Sequence, residues 1–249
     1  MRYFIEIAYN GTNYRGWQIQ PNAITVQKVL NDCMSKVLRK PISTIGSGRT
    51  DAGVHAQQQF VHFDFEEELD PVTTKYRFNR ILPEDISVYN IYPMPEGAHT
   101  RFDAVARTYE YHVTLEKNPF LNEFSMLAYS RPDVLRMNQA AALLLHHEDF
   151  SSFCKANSGS AHALCSMMQA GWAEHPKSKL VFTIKANRFL RGMVRLVVGT
   201  LLDVGFGKLT VEEFGEIVNS RDCARASSAA PAEGLFLTKV EYPEGLLPV

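Results

Sequence analysis

"TVQKVLNDCMSKVLRKPISTIGSGRTDAGVHAQQQFVHFDF", residues 25 to 65, changes its hydrophobic period partway along, from that of a helix to that of a strand, with a polar loop between. Val26, Val29, Leu30, Cys33, Met34, Val37 and Leu38 recur at intervals of three and four, which predicts a helix with Thr25 as its N-cap and Pro41 beyond its end. Extended segments follow near 43–47 and 54–65, and in the second Val61, Phe63 and Phe65 share one face.

Outward from this core the pattern completes itself. Residues 2–9 alternate like a strand and lead into the loop "NGTNYRGWQIQPN"; a helix from Val72 to Leu82 and a strand near 86–92 come after residue 65. "PMPEGAHT", 93–100, reads as a linker, and the order then recurs: strand 107–115, helix 133–146, strands near 165–173 and 180–186, helix 188–204 and a final strand at 235–241. A further short helix, Val211 to Asn219, opens on a capping box of Thr210 and Glu213. The expected domains are therefore 1–97 and 101–249, each reading strand, helix, strand, strand, helix, strand. That is the order of the split βαβ, ferredoxin-like unit. The expected fold class is α+β: two ferredoxin-like, RRM-like halves whose sheets join around a central cleft, with no matching residues between the halves.

Composition sets the outer bounds. A chain of 249 residues with 21% charged residues and nearly half hydrophobic is an ordinary globular protein with room for a catalytic cleft. The N-terminus lacks the pattern of a signal peptide, and the most apolar stretch, "FLRGMVRLVVGTLLDVGF", is broken by Arg191, Arg195 and Asp203, so a cytoplasmic protein without a membrane span is expected. Four scattered cysteines never form C-x-x-C, which signals neither a zinc site nor a disulfide framework. A net charge of -1 exerts no global pull on nucleic acid, so charge placement has to decide.

Within "GRTDAGVHA", 48–56, Arg49 and Asp51 are two apart, and in extended backbone their side chains share a side. The guanidinium would keep the carboxylate ionised and aimed, as a nucleophile or general base requires. Gly48 and Gly53 permit unusual backbone angles or close ligand approach. The competing reading is that Asp51 only organises a turn. In "RTYEYHVTL", Tyr109, Tyr111, Val113 and Leu115 face one way, and Thr108, Glu110, His112 and Thr114 the other. Tyr109, two residues after Arg107, suits either the core or a ring that stacks on a base. Arg188, Arg191 and Arg195 lie three and four apart, a basic stripe on an otherwise apolar helix whose arginines need anionic partners. His55, His62, His146 and His147 have no metal-ligand company and read as structural.

Taken in order, "RGWQ" (15–18), "TVQ" (25–27), "GRTDAGVHA" (48–56), "RFDA" (101–104), "RTYEY" (107–111), "FLRGMVR" (189–195) and "AEGL" (232–235) resemble the TruA family of tRNA pseudouridine synthases over nearly the whole chain. The resemblance implies a basic, RNA-binding cleft, a homodimer, and isomerisation of uridine at positions 38, 39 and 40 in the anticodon stem-loop of tRNA, with no cofactor and no metal. It implies Asp51 as the catalytic aspartate, Arg49 as its electrostatic partner, Tyr109 beside the target base and Arg195 as the active-site arginine. Arg191 and Arg107 are further candidates for holding the RNA. The stretch "KANSGSAHALC", 155–165, departs from the family's basic character, with Lys155 as its one cation.

Rival classes fare worse. A zinc-dependent base deaminase needs H-x-E with P-C-x-x-C, and neither pattern occurs. A retaining glycoside hydrolase needs a second carboxylate about 5 Å from the first, and the 48–56 motif contains only one. A non-catalytic RNA-binding module would show an RNP1-type strand, which "QQQFVHFDF" approximates loosely.

Overall fold

A computed structural model describes residues 1–154 and 163–247. The chain divides into two units, Met1–Ala106 with Leu237–Val249, and Arg107–Phe236.

The first unit contains β1 (Arg2–Tyr9), α1 (Val26–Leu38), β2 (Ile45–Gly46), β3 (His55–Asp64), α2 (Pro71–Asn79) and β4 (Ile86–Met94). β1 lies between β3 and β4 and runs antiparallel to both, while the short β2 pairs antiparallel with β3. Taken across the sheet the strands run fourth, first, third, second, as the split βαβ order requires. Helix α1 forms where its periodicity predicts. Thr25 accepts a hydrogen bond from the Lys28 amide, and Arg39 ends the helix in the left-handed region (φ 56°) before Pro41 is reached. Its Val26, Leu30 and Met34 are fully buried, each contributing about 1.5–3 kcal/mol through removal from water. Helix α2 starts on an aspartate cap the sequence reading missed: Asp70 accepts from the Thr73 amide, and Pro71 fills the first turn.

The second unit holds most of β5 (Ala106–Thr114), then β6 (Met126–Leu127), α3 (Val134–Leu143), β7 (Met167–His175), β8 (Lys179–Ala186), α4 (Met193–Gly205) and α5 (Val211–Ser220). β8 pairs antiparallel with both β5 and β7. The capping box of α5 is present in both directions, Thr210 N to Glu213 Oε2 at 2.7 Å and Glu213 N to Thr210 Oγ1 at 3.1 Å. β9 (Leu235–Glu241) begins in this unit, and from Leu237 onward belongs to the first, where Val240 N donates to Gln58 Oε1 at 2.9 Å. The α+β class expected from the sequence is the one observed.

Two expectations change. The helix read over 188–204 begins only at Met193, because Gly192 sits at φ 72° as its cap. Arg188 and Arg191 therefore precede the helix, and the basic stripe does not exist as a helical face. The stretch read as a linker, 93–100, is part of the first unit: Met94 and Ala98 pack on Phe4, and Thr100 is fully buried. As the alternation of β5 suggests, its Tyr111 and Val113 are fully buried on one face, and towards the strand's end the other face is covered too, with His112 stacked on Phe236 at 4.6 Å and Thr114 Oγ1 3.3 Å from Ser125 Oγ. Lys155 lies outside the described residues.

His62 shows what holds that former linker. Its Nδ1 accepts from the Thr100 amide at 3.3 Å and lies 2.8 Å from Thr100 Oγ1, with the ring 3% exposed. Burial, assisted by the neighbouring His99, lowers its pKa from 6.5 to about 4. The unfolded chain therefore takes up this proton first as the pH falls. The associated stability is present above about pH 6.5 and is lost towards pH 4, up to about 3 kcal/mol for this one ring. Urea unfolding of wild type and His62→Gln should show the variant with a shallower loss of stability between pH 6.5 and 4; parallel curves would contradict the assignment.

Candidate active site

In the first unit the motif 48–56 leaves β2 and enters β3. Its burial runs exposed, buried, half-buried over Arg49, Thr50 and Asp51, so Thr50 points inward and its two neighbours outward, as alternation predicts. The Thr50 hydroxyl meets the Tyr9 hydroxyl at 2.8 Å, and Tyr9 also donates to Gln59 Oε1 at 3.2 Å. A turn follows directly, closed by Val54 N donating to the Asp51 carbonyl at 3.2 Å, with Gly53 at φ 76°. The main chain of Asp51 thus takes part in closing the turn. Gly48 has no positive φ, and a β-carbon there would meet nothing within 4 Å, so the fold itself does not demand glycine at that position.

A second segment of chain underlies the motif. Trp17 N donates to Thr50 O at 3.1 Å, and Gly53 N donates to Tyr14 O at 3.2 Å. Gly16, at φ 91°, lies so close that a β-carbon would sit 2.7 Å from Thr50 O and 3.1 Å from the carbonyl carbon of Asp51. Tyr14 is itself held by donating its hydroxyl to Asp85 at 2.5 Å, and burial, together with this carboxylate, raises the phenol's pKa. The "RGWQ" segment is therefore the floor of the Asp51 turn, a role no periodicity in the sequence signalled.

In the second unit Arg107 and Tyr109 stand two apart on β5, opposite Ala186 and Ile184 of β8. Arg107 is 9% exposed and its Nη1 donates to Asn187 O at 2.8 Å, at the end of β8. Tyr109 is equally buried, and Phe189 meets its ring edge-on with centroids 5.2 Å apart. Arg195, on the first turns of α4, is half-buried; its Nε donates to Ala230 O at 2.6 Å while Ala230 N donates to Arg195 O at 2.9 Å. That two-way bond straps residues 228–230 to the helix. A β-carbon on Gly199 would lie 2.0 Å from Ser228 O, which shows how close the strap runs. Arg191 is exposed in the turn before α4.

The six candidates thus fall into an acidic component, Asp51 with Arg49, and a component of one tyrosine and three arginines. The partners Tyr9, Asn187, Phe189 and Ala230 escaped sequence reading because each meets its residue through tertiary contact. Chemically, the first component offers a carboxylate on a fixed turn. The second offers guanidiniums suited to phosphate and an aromatic ring. Among the described residues no group of three or more metal-ligating side chains could hold an ion. Burial pushes the Cys165 thiol up to about 11, which makes it a poor nucleophile at neutral pH.

Comparison with known proteins gives a concordant result. A family described as tRNA pseudouridine synthase matches residues 140–243. The chain is 49% identical to the tRNA pseudouridine synthase A of Bacteroides thetaiotaomicron over 98% of its length and 92% of the relative's. It is 47% identical to that of Bacteroides fragilis (98% and 97% covered) and 36% identical to that of Exiguobacterium sibiricum (98% and 97%).

Gly16→Ala tests the floor of the turn. Forcing a β-carbon against Thr50 at a positive φ should cost about 1–3 kcal/mol, read by chemical denaturation, and should speed tryptic cleavage after the exposed Arg49. Unchanged stability with unchanged cleavage would show that the 14–17 segment does not hold the turn.

Proposed function

The chain belongs to the tRNA pseudouridine synthase family, and we propose that it isomerises uridine to pseudouridine at positions 38, 39 and 40 of the tRNA anticodon stem-loop with Asp51 as nucleophile. The observation that carries the reading is the 48–54 turn, which Val54 N closes on the Asp51 carbonyl and the 14–17 segment backs, so that a half-buried carboxylate two residues from the exposed Arg49 stands on a fixed main chain. The reaction breaks the N1–C1′ bond, rotates the uracil, joins C5 to C1′, releases the C5 proton and leaves a proton on N1. Atoms and electrons balance within the nucleotide and solvent, so the overall change consumes no oxidant or reductant. One carboxylate suffices to begin it, by adding to C6 of the ring or to C1′ of the sugar.

The remaining residues take roles that their surroundings support. The target nucleotide has to leave the helical stack, at a cost of a few kcal/mol, and Tyr109 receives the flipped uracil. Arg49, two residues from Asp51 and exposed, is placed to meet the anionic substrate beside the carboxylate. Arg195, oriented through its Nε by the Ala230 carbonyl, supplies positive charge at the reacting nucleotide, and Arg107 and Arg191 hold the displaced backbone. The working halves in this scheme are 1–97, with the aspartate loop, and 101–249, with the tyrosine strand and the arginines. The same reading assigns a homodimer and the cytoplasm, where tRNA is available; no helix among the described residues is long and apolar enough to cross a membrane.

Tritium release from tRNA transcripts labelled at uridine C5 tests the proposal. Wild type should release tritium only from transcripts with uridine at 38, 39 or 40, and Asp51→Ala should reduce the rate by at least about 10³–10⁴-fold while still binding tRNA. Binding without release by wild type would replace the isomerase with an RNA-binding module. Tyr109→Phe probes a separate step, removal of the C5 proton by the phenol oxygen. Turnover should fall by about 10²-fold or more, and full turnover would confine Tyr109 to stacking.

A further inference from the structure

The "RFDA" motif, 101–104, has no part in the chemistry described so far, and its geometry is unusual. The turn that carries it is tied down from several directions. Thr100 is fully buried; its hydroxyl donates to Ile45 O at 3.0 Å and its carbonyl accepts from the Tyr242 hydroxyl at 2.7 Å. His99 Nδ1 accepts from the amides of both Arg101 and Phe102, at 3.1 and 3.3 Å. Asp103 Oδ2 accepts from the His99 amide at 2.7 Å, and Asp103 N donates back to the His99 carbonyl at 3.0 Å.

On this rigid turn the chain displays a phenylalanine. The Phe102 ring is 75% exposed, yet it rests on the His99 imidazole, with centroids 4.2 Å apart and planes at 31°. His99 in turn lies against His62, 4.5 Å away and buried. The Arg101 guanidinium is 5.8 Å from the Phe102 centroid. Burial lowers the pKa of His99, keeping its Nδ1 an acceptor for the two amides. Only one side of the ring is used inside the chain, and the other is open to water. A ring backed on one side, held by a fixed turn and flanked by a cation is suited to a flat, anionic-backboned ligand.

We propose that Phe102 is a stacking platform for an unpaired nucleobase of the bound tRNA, with Arg101 taking a phosphate beside that base. The inference rests on the tRNA reading above and extends it to a contact outside the reacting nucleotide. Phe102 is thus a positioning residue. Nucleic acid is favoured over a second copy of the chain because the ring comes paired with a guanidinium, and Phe-plus-Arg is the combination that serves base and phosphate together.

The test uses full-length Phe102→Ala, Phe102→Leu and Phe102→Trp with unmodified tRNA transcripts. Loss of one base stack should weaken tRNA binding and lower kcat/KM about 5–100-fold in the Ala and Leu variants, carried mainly by KM, with the melting temperature unchanged. Phe102→Trp should keep wild-type affinity, and its emission should be quenched by tRNA; Trp17 and Trp172, at 1% and 6% exposed, are shielded from that effect. Wild-type affinity in Phe102→Ala, or unquenched emission from tRNA-bound Phe102→Trp, would overturn the proposal. So would dissociation of a dimer by Phe102→Ala with unchanged tRNA affinity per protomer, which would assign the ring to an interface between copies. Failure of the isomerase reading has a separate signature: wild type itself would release no tritium, whatever the Phe102 variants do.

Discussion

The approach of Gly16 to the main chain of Thr50 and Asp51 constrains everything around the carboxylate. With only 2.7 Å between an imagined β-carbon and the Thr50 carbonyl oxygen, the two segments can meet only as bare backbone. That contact lets Trp17 N reach Thr50 O and lets Tyr14 O receive Gly53 N. The turn is then fixed at both ends by bonds that involve no functional side-chain atom. Flexibility in a loop that presents a functional group costs function because that group has to be found in its productive geometry. Here that cost is met by the fold, through the central β1 strand that carries Tyr9 and the Asp85 carboxylate that secures Tyr14.

The arginine and tyrosine component follows the same logic with different anchors. Arg195 is oriented by the carbonyl of Ala230, whose amide returns a bond to Arg195 O. Arg107 is braced on Asn187 O, and Tyr109 on the edge of Phe189. Main-chain carbonyls accept from a guanidinium without neutralising it.

The regular elements were legible because they depend on local sequence. The intervals of α1, the Thr25 cap and the Thr210–Glu213 box each act within a few residues, and the structure shows them as read. The strand order of the first unit was legible too, since a strand-helix-strand-strand-helix-strand chain has few ways to pair. What misled was a pattern that looked local and was not. Arg188, Arg191 and Arg195 have helical spacing, but Gly192 takes a left-handed conformation that starts the helix after two of the three. Glycine's permissiveness in that region is visible in sequence; whether it is used is decided by the tertiary fold. The His62–Thr100 bond likewise turns an apparent linker into a buried strap, and nothing near either residue in sequence announces it.

The 48–56 motif sat between these extremes. Its alternation over Arg49, Thr50 and Asp51 could be read directly, and the inward Thr50 agrees with it. The choice between a turn-forming and a chemical aspartate could not be made that way, because spacing does not show which atoms close a turn. In the fold, the Asp51 carbonyl closes it with Val54 N, and Gly53 supplies the positive φ. Gly48 carries the complementary argument. With no strained angle and no neighbour within 4 Å of an added β-carbon, a larger residue would fit there without a clash, so the glycine of this motif could not be explained from the fold any more than from the sequence.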